Sequence, residues 1–137
     1  MATFNKFNCF VEDLAEKKHN LGSDTLTIAL CAAANAPTAS NTVLANLTQI
    51  SYTNLSSRAV TTTSSAQTSG TYKLVLADLV LTASGSVGPF RYAVLYNDTA
   101  ATDELIGYVD YGSDVTLASG ETFTLDFDGS AGAITIA

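Results

Sequence analysis

The sequence is poor in positive charge and in cysteine, has no tryptophan, and contains no long apolar run. Six lysines and arginines stand against 13 aspartates and glutamates, which gives a net charge of −7. Nucleic acids and anionic lipids are bound mainly through clustered lysine and arginine, so we expect neither a nucleic-acid nor a membrane partner. No stretch approaches the ~20 consecutive apolar residues that a membrane-spanning helix requires.

The scarcity of cysteine and histidine limits the chemistry that can be predicted. Cys9 and Cys31 are too few for a disulfide framework, and with His19, the only histidine, they do not supply the four ligands of a structural zinc site. A Ser-His-Asp site would need His19, but its place beside Lys17 and Lys18 indicates a solvated or capping residue at a helix end. We therefore expect no enzymatic activity, no metal and no cofactor. The N-terminus lacks the apolar segment of a signal peptide, which predicts a protein kept in a reducing cytoplasm.

A length of 137 residues with 47% apolar content is enough for one domain with a real core, so residues 1–137 are predicted to form a single unit. Residues 1–20 are predicted to form an amphipathic helix, capped by Thr3 and ended at Gly22. Its apolar stripe recurs at spacings of three and four residues and consists of Phe4, Phe7, Phe10, Val11 and Leu14. Two interpretations stay open: the stripe docks on a partner, or it packs on the domain itself.

After Gly22 the apolar period changes from 3.6 to two, which predicts strands. Residues 25–30 place Leu26, Ile28 and Leu30 on one face. Further strands are predicted at 47–52, 58–63, 72–83, 90–96, 105–111, 121–128 and 133–137, and a turn is expected at 112–114. Asp78 predicts a bend or an exposed position within its strand, and Gly107 predicts a bulge or a close backbone contact. Short strands joined by glycine and serine turns are typical of antiparallel sandwiches. The predicted fold class is mainly β, an antiparallel jelly-roll-like β-sandwich over residues 23–137 with one N-terminal α-helix.

Four carboxylates lie close together late in the sequence: Asp110, Asp114, Asp126 and Asp128. They could bind calcium or serve as a glycosidase pair, but the spacing selects neither, and a solvated polar face is favoured. The six tyrosines could form a sugar-binding surface, although half-buried packing is the more usual role of tyrosine in strands. These patterns do not predict a reaction.

Six segments carry a further signal, at residues 7–16, 19–26, 88–98, 105–108, 110–112 and 117–123. Together they resemble a family of small structural proteins of tailed bacteriophage virions. The likeness covers most of the chain outside residues 32–71, which depart from the glycine-rich form of that family. The matching motifs are turns and strand edges rather than catalytic signatures.

The resemblance implies a virion component, and first of all a capsid decoration (cement) protein that stabilises the head. The resemblance implies that the partner is the major capsid protein and that the protein lies on the capsid exterior, after assembly in the host cytoplasm. It also implies a homo-oligomer on the virion. An acidic chain is repelled by packaged DNA, which agrees with an outer position. The alternative is a tail, baseplate or fibre component with a receptor- or glycan-binding role.

Overall fold

In the part of the chain that the structure describes, ten strands, one short α-helix and two single-turn 3-10 helices form a fold that is mainly β with antiparallel sheets. The computed structural model describes residues 3–137. In chain order the elements are β1 (Phe4–Lys6), α1 (Cys9–Ala15), β2 (Leu26–Cys31), β3 (Ala59–Val60), β4 (Thr62–Thr68), β5 (Thr71–Leu76), β6 (Leu79–Thr82), β7 (Val87–Asn97), β8 (Leu105–Leu117), β9 (Thr122–Leu125) and β10 (Ile134–Ile136). Among these described residues, no helix has the length and apolar character needed to cross a bilayer.

The strands form a five-stranded sheet in the order β1-β8-β7-β2-β3, a three-stranded sheet in the order β10-β5-β4, and a ribbon of β6 and β9. The single strand predicted over 72–83 is instead two strands, β5 and β6, which belong to different sheets, and the bend predicted at Asp78 lies between them. The carboxylate of Asp78 accepts a hydrogen bond from the Phe127 amide at 2.9 Å. This bond ties the turn between β5 and β6 to the segment that follows β9.

The main core lies between the five-stranded sheet and the other two sheets. Leu26, Ile28 and Leu30 of β2 are buried in it, as the period-two pattern predicts. Leucines of β5, β6 and β9 belong to the same cluster. Full burial of each such side chain contributes roughly 1.5–3 kcal/mol to folding, so this shared core is what joins the sheets.

The five-stranded sheet is also covered on its outer face at one end. All six residues of β2 are buried, and Ala29 and Cys31 pack with Phe7 in a second apolar cluster. Leu44 and Leu47, from the connection between β2 and β3, pack against this cluster. The prediction of a strand at 47–52 is therefore wrong, because these residues form an irregular covering segment.

The predicted helix over residues 1–20 is wrong in extent. Phe4–Lys6 forms β1, which pairs antiparallel with β8, and the helix occupies only Cys9–Ala15. Asn8 rather than Thr3 precedes the helix, and it makes no side-chain capping bond. The chain turns at Lys17, whose φ is 69°, before it reaches Gly22.

Gly107 explains why β1 pairs with β8 at this position. The ring of Phe4 lies over Gly107, and a Cβ added there would collide with that ring and lie 2.9 Å from the carbonyl oxygen of Asn5. The predicted close backbone contact at Gly107 is thus confirmed. The predicted turn at 112–114 is wrong: β8 continues to Leu117, with Gly112 at a φ of 91° inside the strand.

Candidate functional site: a groove beside β9

A groove of about 570 Å³ opens between the five-stranded sheet and the segment that contains β9. Its walls come from β1, β7, β8, β9 and the chain that leads to β10. The lining residues are Phe4, Phe90, Arg91, Ala93, Val109, Asp110, Tyr111, residues 123–128, Gly132 and Ala133. The volume lies within the range of ~300–1,000 Å³ that is usual for ligand sites.

The floor of the groove is apolar and aromatic. Phe90 and Leu125 are buried, and the Phe123 ring meets the Phe90 ring edge-on at a centroid distance of 5.2 Å. The Tyr111 ring also meets the Phe123 ring, at a centroid distance of 5.1 Å, yet Tyr111 is 52% exposed. An exposed ring that packs on a second aromatic ring offers a rigid surface on which a ligand can stack.

An ion pair between neighbouring strands forms one side of the rim. The Arg91 Nε donates to Asp110 Oδ1 at 2.8 Å, and the Arg91 Nη2 donates to Asp110 Oδ2 at 3.1 Å. The Gly112 amide also donates to Asp110. These hydrogen bonds lower the pKa of Asp110, because they favour the ionised carboxylate. The bond from Arg91 has the largest effect, followed by that from the Gly112 amide.

Two further aspartates lie on the opposite side of the rim. Asp128 accepts hydrogen bonds from the amides of Ala131 and Ser130, which lower its pKa. Asp126 is exposed. The groove therefore brings together three of the four carboxylates that the sequence grouped, whereas Asp114 does not line it. Within residues 3–137, no three His, Cys, Asp or Glu side chains are placed so as to hold a metal ion.

The apolar stripe of the N-terminal segment packs on the protein's own sheets. Phe7 and Phe10 are buried, and Phe4 and Leu14 pack against the main core. Only Val11 is substantially exposed, at 54%. This is the second of the two interpretations that the sequence left open, and it leaves Val11 as the one member of the stripe through which a partner could be contacted directly.

His19 is not solvated, which corrects the sequence prediction. It is 5% exposed, lies against the Phe10 ring and is bonded to Asn97. The Asn97 carbonyl oxygen accepts bonds from the amides of Thr99 and Ala100, so its Nδ2 faces His19 Nδ1 at 3.0 Å and donates to it. The imidazole is therefore neutral, with its proton on Nε2, which has no hydrogen-bond partner in the described part of the chain.

Burial lowers the pKa of His19, although the nearby carboxylates of Asp13, Glu104 and Asp24 act in the opposite direction. The folded pKa then lies below the unfolded value of about 6.5, so the unfolded chain binds more protons in the pH range between the two. The stabilisation that this neutral histidine provides is complete above pH ~6.5 and is lost as the pH falls below that value. His19 thus acts as a buried structural group, and no pattern in the sequence signals its contact with Asn97.

Both cysteines in the described chain are free thiols. Burial raises the pKa of Cys31 to about 11. The pKa of Cys9 is also raised to about 11, by burial and then by the neighbouring Asp13. Because the thiolate is the reactive form, these thiols are suited to packing rather than to nucleophilic chemistry.

The second notable surface is the edge of the three-stranded sheet. β4 is the outermost strand, and six of its seven residues are exposed. Its sequence, Thr-Thr-Ser-Ser-Ala-Gln-Thr, contains no charge and no proline. The Ser65 and Tyr72 hydroxyls are hydrogen-bonded at 2.8 Å, which links β4 to β5. Gly22 lies close to the Ser65 side chain, but no described strand pairs with the outer edge of β4.

The fold is mainly β, with antiparallel sheets and one helix, and it carries an acid-rimmed aromatic groove and an edge strand without charge. No protein-family model, no curated protein and no solved structure matches the chain.

Proposed function

We propose that this protein is a structural component of a tailed-phage virion, a decoration protein that binds the outer face of the head and stabilises it. The resemblance of its N-terminal, middle and C-terminal motifs to a virion structural family supports the proposal. The acidic character of the chain also supports it, since a net charge of −7 favours a position away from packaged DNA. The partner is the major capsid protein, and the function is contact rather than turnover.

The observation that carries this proposal is the open edge of β4. Seven residues in a strand present roughly 23 Å of backbone, with N–H and C=O groups available to a further strand. Edge strands of soluble proteins are ordinarily protected by charged residues, proline or a covering segment, and the sequence of β4 has neither charge nor proline. A strand or loop of the shell protein can supply the missing hydrogen bonds by β-augmentation.

Stabilisation of the head follows from the number of contacts. Each copy binds across a joint between shell subunits with modest affinity. Many copies on one shell, or an oligomer that binds several subunits at once, resist expansion through avidity without any strong single contact. Val11 is an exposed residue of α1 and is available for an additional contact.

The first test is deletion of the gene. Filled heads that lack the protein should burst at a lower temperature than complete heads, and separated heads rather than tails should contain it. Bursting at an unchanged temperature, or recovery of the protein only with tails, would contradict a role in head stabilisation.

The second test concerns β4 directly. Ala66→Lys introduces a charge at the open edge, and we expect it to abolish rebinding of the purified protein to depleted heads because charged edges resist strand pairing. Ala101→Lys is the matched control, since Ala101 is exposed in the turn between β7 and β8. Equal rebinding by the two variants would show that β4 is not the contact.

A further inference from the structure

We propose that the groove beside β9 binds an extended peptide segment in which a large apolar side chain stands next to a lysine or arginine. This site is distinct from the β4 edge. The proposal does not depend on the function proposed above, because either surface can bind while the other does not.

The first argument is the direction of the groove. Three consecutive residues of β9, 123–125, line it, and the lining continues through residues 126–128, which follow the strand. Side chains of a strand alternate between the two faces of its sheet, so a groove lying against one face would meet Phe123 and Leu125 but not Thr124. The groove therefore reaches the edge of β9.

This edge of β9 is open to a further strand. Among the described strands β9 pairs with β6 alone, so its second edge has no strand beside it. An extended segment in the groove can pair with this edge through its main chain. In recognition of this type, backbone hydrogen bonds provide affinity and pockets for alternate side chains provide specificity.

The second argument is the chemistry of the two sides. A side chain that points to the floor meets Phe90, Phe123 and Leu125, which favours an aromatic or a large aliphatic group. The next side chain points to the opposite side and meets the rim. This alternation is the reason for pairing a large apolar residue with a charged one.

The third argument is the charge of the rim. Arg91 neutralises Asp110, and Lys73, which donates to the Ser130 carbonyl, acts on Asp128 from outside the groove lining. Among the described residues Asp126 makes no ion pair. A lysine or arginine in the ligand complements Asp126, and the exposed ring of Tyr111 adds a surface for a cation–π contact. An acidic segment would be repelled by the same carboxylate.

The experiment uses the full chain and a synthetic probe, the acetylated and amidated peptide Thr-Thr-Val-Phe-Lys-Val-Thr. Titration to millimolar peptide, followed by amide chemical shifts in ¹⁵N-labelled protein, should give saturable changes concentrated in β9, β8 and residues 126–133. Replacement of the peptide's lysine by glutamate should abolish these chemical-shift changes. N-methylation of alternate peptide amides should weaken binding, because it blocks strand pairing.

A variant and a matched control test the rim. Asp126→Asn should weaken the affinity for the lysine peptide about two- to five-fold, the usual effect of losing one exposed ion pair. Glu16→Gln removes an exposed carboxylate outside the groove and should change nothing. Unchanged spectra of both free variants establish that each is folded.

Three results would overturn the proposal: no saturable shift at millimolar peptide, equal binding of the lysine and glutamate peptides, or equal affinities of the two variants. A neutral oligosaccharide such as maltoheptaose is titrated in parallel. If it shifts the groove residues at lower concentration than the peptide does, the groove is a glycan site and the peptide proposal is wrong. Head rebinding by Ala66→Lys is measured separately, so failure of one proposal leaves the other to be judged on its own assay.

Discussion

Replacement of Phe7 by alanine tests how the N-terminal segment is used. Phe7 is fully buried, and its ring centroid lies 5.1 Å from that of Tyr108. Its side chain packs with Ala29 and Cys31 on the outer face of the five-stranded sheet. Phe-to-Ala changes at such sites cost about 3–5 kcal/mol, through lost burial and the cavity that remains. This is a large part of the 5–15 kcal/mol that typically separates folded and unfolded domains.

Urea denaturation followed by circular dichroism measures this cost. With a denaturant slope of about 2 kcal/mol/M, the midpoint of Phe7→Ala should fall by roughly 1.5–2.5 M. Val11→Ala is the control from the same apolar stripe; because Val11 is 54% exposed, its free energy of unfolding should stay within about 0.5 kcal/mol of the parent. If Phe7→Ala shifts the midpoint by less than about 0.5 M at an unchanged slope, the segment is not part of the core and its stripe is free for a partner.

Two further substitutions test local features of the structure. Gly107→Ala should lower the free energy of unfolding by about 1–3 kcal/mol, because the new methyl group meets the ring of Phe4. Gly129→Ala is the control, since Gly129 has open space around it. Equal melting temperatures of the two variants in calorimetry would refute the contact between Phe4 and Gly107. His19→Gln should reduce the loss of stability between pH 6.5 and pH 5, because a buried neutral histidine contributes a slope of up to about 1.4 kcal/mol per pH unit in this range. The measurement is the free energy of unfolding as a function of pH. Parallel curves for the variant and the parent would show that His19 is not held neutral.

The strands of the main core are predictable from the sequence because apolar residues recur in them at every second position. In β2, Leu26, Ile28 and Leu30 face the main core as expected, whereas burial of the other face, with Ala29 and Cys31, is not predicted. Asp78 within an apolar run correctly marks the break between β5 and β6, since a carboxylate there is better used to accept the amide of Phe127. Gly107 likewise signals a close approach, although the residue that approaches, Phe4, cannot be read from the pattern.

The N-terminal segment could not be predicted because two structures share its spacing. Phe4, Phe7 and Phe10 recur every three residues, which fits one stripe of a helix. The same residues also fit a strand followed by a turn and a short helix. The absence of a side chain at Gly107 leaves room for the Phe4 ring, and this contact favours the strand over a continuous helix. Tertiary contact therefore overrides the local period.

The candidate site was only partly visible in the sequence. Asp126 and Asp128 are close in the chain, and the alternation around Phe123 predicts both carboxylates on the solvent side of a strand over 121–128. That strand is shorter than predicted, since β9 ends at Leu125 and both aspartates follow it. That Asp110 lies on the facing wall depends on how the five-stranded sheet sits beside β9, which no local pattern encodes. The groove is thus a product of sheet packing rather than of a motif.

The covering of the outer face has a consequence for contact with other molecules. Phe7, Leu44 and Leu47 close one end of the five-stranded sheet, so its apolar residues there are already buried against the protein itself. The groove lies on a different part of the same sheet, where Arg91, Asp110 and Tyr111 of β7 and β8 meet the edge of β9. The exposed ring of Tyr111 and the unpaired edges of β9 and β4 are thus among the surfaces at which the fold exposes apolar and backbone groups, and because the groove joins two of these features it is where a partner should be sought first.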